Sequence, residues 1–296
     1  MREANTFDIL LLSLLGVIWG SSFFNIKIAS YSYDPFTLAL VRVFFASIPL
    51  VALCIYKKIK IEVFSSEWKD YALIGACNIV VPFSLIALGT SKVDSFLAAI
   101  LMSTTPMSGS ILAHIFTKNE KITFYKSIGI IIGFFGIIFL FLDKLIINEN
   151  NILFALIILI GSTFYSIGGI LTLKIKKKGN ENVTTSTIIW SFIFLIPLSL
   201  ILGDPLNTSP SLESTISLIY LGVIATGVAW LLRFRILTVN GLVFQTQVAY
   251  IIPIVGVFFG YLFMGEVITW KVLVSLSLII LGIYIVKKNN KVYKIK

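Results

Sequence analysis

Residues 105–123 read TPMSGSILAHIFTKNEKIT, and residues 252–269 read IPIVGVFFGYLFMGEVIT. In both stretches a glycine follows a proline by three residues within an apolar run, and a Glu-x-Ile-Thr turn closes the run. The two stretches lie roughly half the chain apart. An ordered match between such distant stretches indicates an internal duplication, which must be recognised before any other feature of the fold.

Further matching residues extend the duplication over the whole chain. Gly136 corresponds to Gly282 and Phe83 to Trp230, and residues 20–24, GSSFF, correspond to residues 161–165, GSTFY. We therefore predict two copies of one structural unit, the first over residues 1–147 and the second over residues 148–296.

The composition places both copies in a membrane. The chain is 57% apolar and 13% charged, with a mean hydropathy of +0.98, whereas soluble domains contain about 25% charged residues. A membrane-spanning helix needs about 20 mostly apolar residues, and charged or turn-forming residues divide this chain into ten such segments. Segments 1 to 10 are, in order, Phe7–Ser30, Phe36–Tyr56, Tyr71–Gly89, Ser95–Thr117, Phe124–Leu142, Ile152–Leu173, Val183–Gly203, Ser214–Leu232, Leu242–Phe263 and Trp270–Val286.

The basic residues predict the orientation of the segments. The net charge of +10 is spread over short loops rather than gathered on a soluble domain, so it does not indicate a nucleic-acid partner. Most of the 24 Lys and Arg residues lie at one side of the segments, as at residues 57–60 and 174–178. Under the positive-inside rule both termini are then cytoplasmic. We expect a multi-pass protein of the bacterial inner membrane, with the lipid bilayer as its partner.

An odd number of segments in each copy fixes how the copies are related. After five segments the chain is on the opposite side of the membrane, so the second copy enters the bilayer inverted. The predicted fold is all-α and integral to the membrane, with ten transmembrane helices forming two inverted five-helix repeats. Inverted repeats around a site near the midplane are a common architecture of secondary transporters.

A set of short motifs carries a resemblance to a known family. The set comprises Trp19-Gly20-Ser21-Ser22-Phe23, Pro35, Arg42, Ala87-Leu88, Pro106, Glu120, Pro253 and Gly265-Glu266-Val267-Ile268-Thr269. In this order and in both halves, the motifs resemble the EamA family of the drug/metabolite transporter superfamily. The resemblance implies a ten-helix carrier of small metabolites, often amino acids or related amines and often exported. Substrates vary within the family, so the resemblance implies a class of activity and no particular cargo.

The repeated prolines predict where a transported solute binds. Pro106 and Pro253 each remove a backbone hydrogen bond within an apolar helix, and we predict that both act as hinges. Interrupted helices in matching positions of two repeats are typical of transport sites. The alternative is that the neighbouring polar side chains only join helices together. The candidate cavity residues beside the prolines are Ser103, Thr104, Gln245, Gln247 and Tyr250.

Aromatic and amide side chains in the interiors of other segments complete the predicted cavity. Trp19, Phe83, Tyr165 and Trp230 could stack on a planar or cationic solute, or they could simply pack. Asn78 lies near the middle of segment 3, where a polar group without a partner is costly. Its amide could face the cavity or bond a neighbouring helix.

Four ionisable residues are candidates for a charge role. Arg42 lies inside segment 2, where a cation is a functional candidate by default, although it could also be a structural anchor. His114 is the single histidine of the chain and could carry a proton near neutral pH, or it could be interfacial. Glu120 and Glu266 occupy the repeated turns, where we expect each to cap the helix that follows it.

Other classes of function find little support in the sequence. Ser108 and His114 are six residues apart on one predicted helix, so they face opposite sides and form no catalytic pair. One histidine and two separated cysteines offer no zinc site, and the sequence has no phosphate-binding loop for ATP. We therefore predict a carrier of a small-molecule substrate without a cofactor or metal, neither an enzyme nor a receptor. The oligomeric state is not predicted.

Overall fold

The structure is a computed structural model that describes residues 4–116, 122–141, 149–172, 180–240, 242–245 and 247–288. Within these ranges it is entirely helical, without a strand. Seven helical stretches are long and apolar enough to cross a membrane, and three further apolar helices are shorter. Together they cover the ten predicted segments.

The helices follow the predicted segments closely, but several segments are divided. Segments 2, 5, 6, 7 and 10 are single helices, and segments 1, 3, 4, 8 and 9 are interrupted. The single helices are Pro35–Tyr56, Phe124–Phe141, Glu149–Thr172, Asn180–Leu202 and Trp270–Lys288. The divided segments are Thr6–Gly20 with Ser22–Ala29; Trp68–Gly75, Ala76–Val80 and Val81–Lys92; Ser95–Met102 with Thr105–Phe116; Leu212–Ile219, Tyr220–Val228 and Ala229–Asn240; and Leu242–Gln245 with Val248–Met264.

Local sequence explains where several helices begin. Asn5 and Asp8 form a capping box at the start of segment 1. Asp34 accepts hydrogen bonds from the backbone N–H groups of Phe36 and Thr37, just before a proline at the first position of segment 2. Both arrangements satisfy amides that a helix cannot pair internally.

Segment 8 extends further than the sequence predicts. Its last helix continues to Asn240, so Arg233 and Arg235 lie on a helix and not in a cytoplasmic loop. The reason is that both cations lie over aromatic rings, Arg233 over Trp230 and Arg235 over Phe7. Such stacking partly replaces the hydration that these charges would otherwise require.

Most packing partners of the segments form matched pairs, although segment 2 also packs against segment 3 without a comparable contact between segments 7 and 8 in the described ranges. Segment 1 packs against segments 8 and 9, and segment 6 packs against segments 3 and 4. Segment 2 packs against segment 8, and segment 7 against segment 3, while segments 4 and 9 and segments 5 and 10 pack against each other. If each segment in these pairs is exchanged for its counterpart five segments away, in the other half of the chain, the same list of pairs results. An inverted duplication requires this pattern; the inversion itself and the count of ten spans remain predictions.

Glycines allow the closest of these contacts. A Cβ atom on Gly129 would lie 2.7 Å from the carbonyl oxygen of Gly282, and one on Gly282 would lie 2.6 Å from that of Gly129. A Cβ atom on Gly16 would lie 2.5 Å from a methyl group of Ile251. Small residues therefore let segments 5 and 10, and segments 1 and 9, approach each other closely, as expected of helices packed in lipid.

Candidate functional site

Two π-helical stretches occupy equivalent places in segments 3 and 8. They span Ala76–Val80 and Tyr220–Val228, and in the first the N–H of Val81 bonds the carbonyl of Ala76, five residues back. Such insertions are rare and are found frequently at functional sites. Segments 1, 4 and 9 are also interrupted, at Ser21, at Ser103 and Thr104, and at Gln247. Discontinuous helices of this kind are typical of secondary transporters.

The π-helix of segment 8 creates a hydrogen-bond acceptor for Arg42. In this π-helix the Thr226 hydroxyl donates to the carbonyl of Leu221, five residues back, over 2.8 Å. The same hydroxyl accepts a hydrogen bond of 3.0 Å from Arg42 Nε. Arg42 is 8% exposed, and its guanidinium carbon lies 4.0 Å from the centre of the Phe83 ring. Segments 2, 3 and 8 therefore meet at this one side chain.

Aromatic rings continue from Phe83 towards a second arginine. The rings of Phe83 and Tyr165 are 6.3 Å apart, and Tyr165 interacts electrostatically with both Arg42 and Arg233. The guanidinium carbon of Arg233 lies 5.6 Å from the Trp230 ring. We call the group the arginine–aromatic cluster; its members are Arg42, Phe83, Tyr165, Thr226, Trp230 and Arg233.

The cluster contains three of the four aromatic residues predicted to line a cavity, and it adds two residues that the sequence analysis missed. Thr226 could not be found because an apolar run does not reveal a π-helix. Arg233 could have been found, since it follows Trp230 by three residues and side chains at that spacing share a helix face.

The energetics of Arg42 are finely balanced. A cation in the middle of a membrane segment costs about 2.5–3.5 kcal/mol. A desolvated cation–π contact returns about 2 kcal/mol, and a hydrogen bond to a charged group returns about 1.5–3 kcal/mol. Phe83 and Thr226 therefore hold the charge in place without a carboxylate.

Trp19 and Asn78 contact the π-helical regions from other segments. Trp19 Nε1 donates to the carbonyl of Ala225 over 3.2 Å, which joins segment 1 to the π-helix of segment 8. Asn78 lies in the π-helix of segment 3, and its amide donates to the Thr172 hydroxyl over 3.2 Å. Of the two roles considered for Asn78, the structure shows the bond to a neighbouring helix.

The hydroxyl groups of segment 4 satisfy its own backbone at the break. Ser103 and Thr104 are buried and donate to the carbonyls of Ile100 and Leu101. Pro106 has no N–H for the Met102 carbonyl, and the Thr105 hydroxyl bonds this carbonyl instead. The predicted cavity role of Ser103 and Thr104 therefore finds no support in their contacts.

The polar residues of segment 9 do not converge on one place. Gln245 is buried and Gln247 is exposed. Tyr250 lines a groove with Ser277 and Tyr284 of segment 10, away from the arginine–aromatic cluster. Gln247 and Tyr250 are therefore not placed as members of a common cavity.

The remaining charged candidates lie at the ends of helices. His114 is half-buried, and its Nδ1 accepts a hydrogen bond of 3.3 Å from the backbone N–H of Ile122. Glu120 lies outside the described residues. Glu266 accepts hydrogen bonds from the N–H and hydroxyl of Ser95, at 2.5 and 3.0 Å, and from the N–H of Phe96 at 3.1 Å.

Glu266 thus caps a helix, but not the one predicted. We expected it to cap segment 10, which follows it in the chain, whereas it caps segment 4 from the other half. The chain turns back at Gly265, whose φ of +62° suits glycine. This turn directs the carboxylate towards Ser95 and joins segments 4 and 9.

We expect Glu266→Ala to lower the thermal stability of the purified protein by about 2 kcal/mol, since a charged acceptor of several hydrogen bonds is lost. Thermal unfolding in detergent would measure this effect. Glu213→Ala is the matched control, because Glu213 lies exposed in the first turn of segment 8. Equal stability of the two variants would contradict the capping role.

The fold and its interrupted helices define a multi-pass membrane protein built on a transporter architecture. The chain belongs to the EamA-like transporter family, whose sequence profile matches residues 6–142 and 152–287. The family identifies the protein as a membrane transporter.

Individual relatives agree with this assignment. The chain is 23% identical over 270 residues to the uncharacterized transporter YoaV of Bacillus subtilis, covering 90% of this chain and 92% of YoaV. It is 26% identical over 284 residues to the uncharacterized inner membrane transporter YedA of Escherichia coli K12, covering 95% and 91% of the two chains. A protein of known crystal structure shares the fold with a TM-score of 0.71 at 12% identity, over 96% of this chain and 98% of that one.

Proposed function

We propose that this transporter is a secondary carrier that exports small metabolites of the amino-acid class by alternating access. The observation that carries the proposal is the buried Arg42, which joins segments 2, 3 and 8 at the π-helix of segment 8. Amines were the second class implied by the resemblance. Uptake and exchange use the same fold, because net flux through such a carrier follows the gradients.

The arrangement of the segments supports this mechanism. The matched packing pairs suit two halves that rock against each other around the arginine–aromatic cluster. The basic loops support a topology of ten spans with both termini in the cytoplasm, and the printed name of YedA supports placement in the bacterial inner membrane.

If the two prolines act as hinges, replacing either of them should reduce transport more than it reduces the amount of folded protein. Pro106 follows the break in segment 4, and Pro253 lies inside the helix of segment 9. Pro106→Ala and Pro253→Ala are expected to slow transport by about tenfold, a change of about 1.4 kcal/mol, because a restored backbone N–H stiffens each helix. Initial flux per amount of folded protein in liposomes would measure this. Pro197→Ala is the control, since Pro197 lies inside segment 7 on an exposed face.

If both proline variants transport as fast as the wild type, the proposal that Pro106 and Pro253 act as hinges is wrong. If the Pro197→Ala variant slows transport as much as they do, the loss reflects proline removal in general.

Flux through purified protein in liposomes tests the proposed function directly. Labelled amino acids and amines are screened with and without a proton gradient. Saturable flux of an amino acid is the expected result, and flux that ignores the gradient indicates a facilitator or exchanger. Flux driven by the gradient would assign proton transfer to a residue such as His114, Glu120 or Glu266. Absence of flux for every solute would contradict the proposal.

A further inference from the structure

Two arginines share the arginine–aromatic cluster at different depths. Arg42 bonds Thr226, and Arg233 lies seven residues further along segment 8, about 10 Å at a helical rise of about 1.5 Å per residue. Segments 2 and 8 run in the same direction in the predicted topology. Tyr165 lies within electrostatic range of both cations, and its ring is 6.3 Å from that of Phe83. The positive charge therefore extends along the cluster from one depth to another.

Among the described residues, no acidic side chain pairs with these charges. The stretches that form the cluster, residues 35–61, 71–93, 150–180 and 214–265, contain none of the 14 Asp and Glu residues of the chain. In the described part of the structure, no ion pair or hydrogen bond joins Arg42 or Arg233 to a carboxylate. A structural arginine in a membrane usually faces a carboxylate or backbone carbonyls, and these two do not.

One hydrogen-bond donor of the two arginines is also unused. The Nε atom of Arg233 is buried and has no hydrogen-bond partner among the described residues. Within the same ranges Arg42 donates from Nε to Thr226 and otherwise lies against the Phe83 ring. A guanidinium group has five donors in a plane that match the two oxygens of a carboxylate. In the described part of the chain, the buried Nε of Arg233 therefore lacks a partner that an anionic group could supply.

We infer that the arginine–aromatic cluster binds the carboxylate of the transported solute and selects solutes with a net negative charge over neutral and cationic ones. This inference rests on the proposed function. The rings of Phe83, Tyr165 and Trp230 provide apolar surface for the carbon skeleton of the solute. Two uncompensated cations repel an amine, because electrostatic repulsion is strong where water is excluded. Acidic amino acids and other carboxylates thus become the preferred cargo, and amines are disfavoured.

The test uses the full chain in liposomes of neutral phosphatidylcholine. The liposomes are loaded with equal amounts of succinate, glutamate, glutamine and putrescine, and potassium with valinomycin holds the membrane potential at zero. Mass spectrometry then measures the initial release of each solute. We expect succinate and glutamate to leave about tenfold faster than glutamine, and putrescine to leave most slowly.

Variants of Arg233 show whether the charge sets this preference. Arg233→Gln is expected to reduce the ratio of glutamate to glutamine release about tenfold, towards one, whereas Arg233→Lys retains most of the ratio. Arg235→Gln is the control, because this exposed arginine lies over Phe7 outside the cluster. A ratio of rates in one sample does not depend on how much protein is folded. A merely structural role would therefore leave the ratio unchanged.

Three results would overturn the inference. The first is release of glutamine or putrescine as fast as glutamate, which leaves the carrier function intact. The second is a glutamate preference that Arg233→Gln does not alter. The third is suppression of glutamate release when anionic phosphatidylglycerol is added, which would make a lipid phosphate the occupant of the cluster. Release of no solute above protein-free liposomes would instead reject the proposed function, and the inference with it.

Discussion

Arg42→Gln is expected to reduce transport at least about thirtyfold, since removing a buried charged partner costs about 2–5 kcal/mol in binding. The variant keeps a polar side chain of moderate length but loses the charge, the bond to Thr226 and the contact with the Phe83 ring. We expect the loss to appear in both KM and maximal rate, because the same group binds the solute and connects segments 2, 3 and 8. Initial rates over a range of glutamate concentrations would measure both.

Thermal stability distinguishes this role from that of a structural anchor. Replacing this buried charge by a neutral group removes its desolvation cost together with its contacts to Thr226 and Phe83, so the unfolding temperature of the Arg42→Gln variant should change little. An anchor would instead show a lower unfolding temperature with normal transport by the protein that remains folded. Arg42→Lys is the control for charge alone, because an ammonium group cannot reproduce the planar contacts of a guanidinium.

The sequence predicted the segments well because hydropathy and charge directly reflect the bilayer. All ten segments are helical in the described ranges. Arg42 could also be identified from the sequence, because a charged residue within an apolar run is easily recognised. Thr226 could not be identified from the sequence, since its role comes from a π-helix, and a π-helix does not change the apolar pattern.

The polar residues show why candidate sites are harder to predict than segments. Ser103 and Thr104 looked like cavity residues, yet their hydroxyls bond carbonyls three residues back. Local bonds of this kind are always available to Ser and Thr, so a sequence cannot distinguish them from bonds to a solute. Glu266 was assigned to the wrong helix because its partner, Ser95, lies far away in the chain and is brought near only by tertiary packing.

Gly222→Ala is expected to destabilise the protein by about 1–3 kcal/mol, the usual cost of overpacking, and to impair transport in the fraction that folds. A Cβ atom at Gly222 would overlap the Cβ atom of Phe45 and lie 2.8 Å from the carbonyl oxygen of Arg42. These are atoms of the backbone or next to it, so a rotamer change cannot relieve the clash. Segment 8 must move away from segment 2, which stretches the bond between Thr226 and Arg42.

Two glycine variants separate this effect from a general loss of helix packing. Gly169→Ala should be neutral or slightly stabilising, because nothing lies within 4 Å of its added Cβ atom and alanine favours a helix. At Gly75 the nearest atom is the hydroxyl of Ser191, at 2.7 Å, although the carbonyl oxygen of Thr187 follows at 2.9 Å. Gly75→Ala should therefore destabilise the protein while leaving Arg42 in place. If Gly75→Ala and Gly222→Ala reduce transport per folded molecule equally, the close contact of segments 2 and 8 has no special part in transport. A larger loss in Gly222→Ala would mean that this contact positions the guanidinium group for the solute.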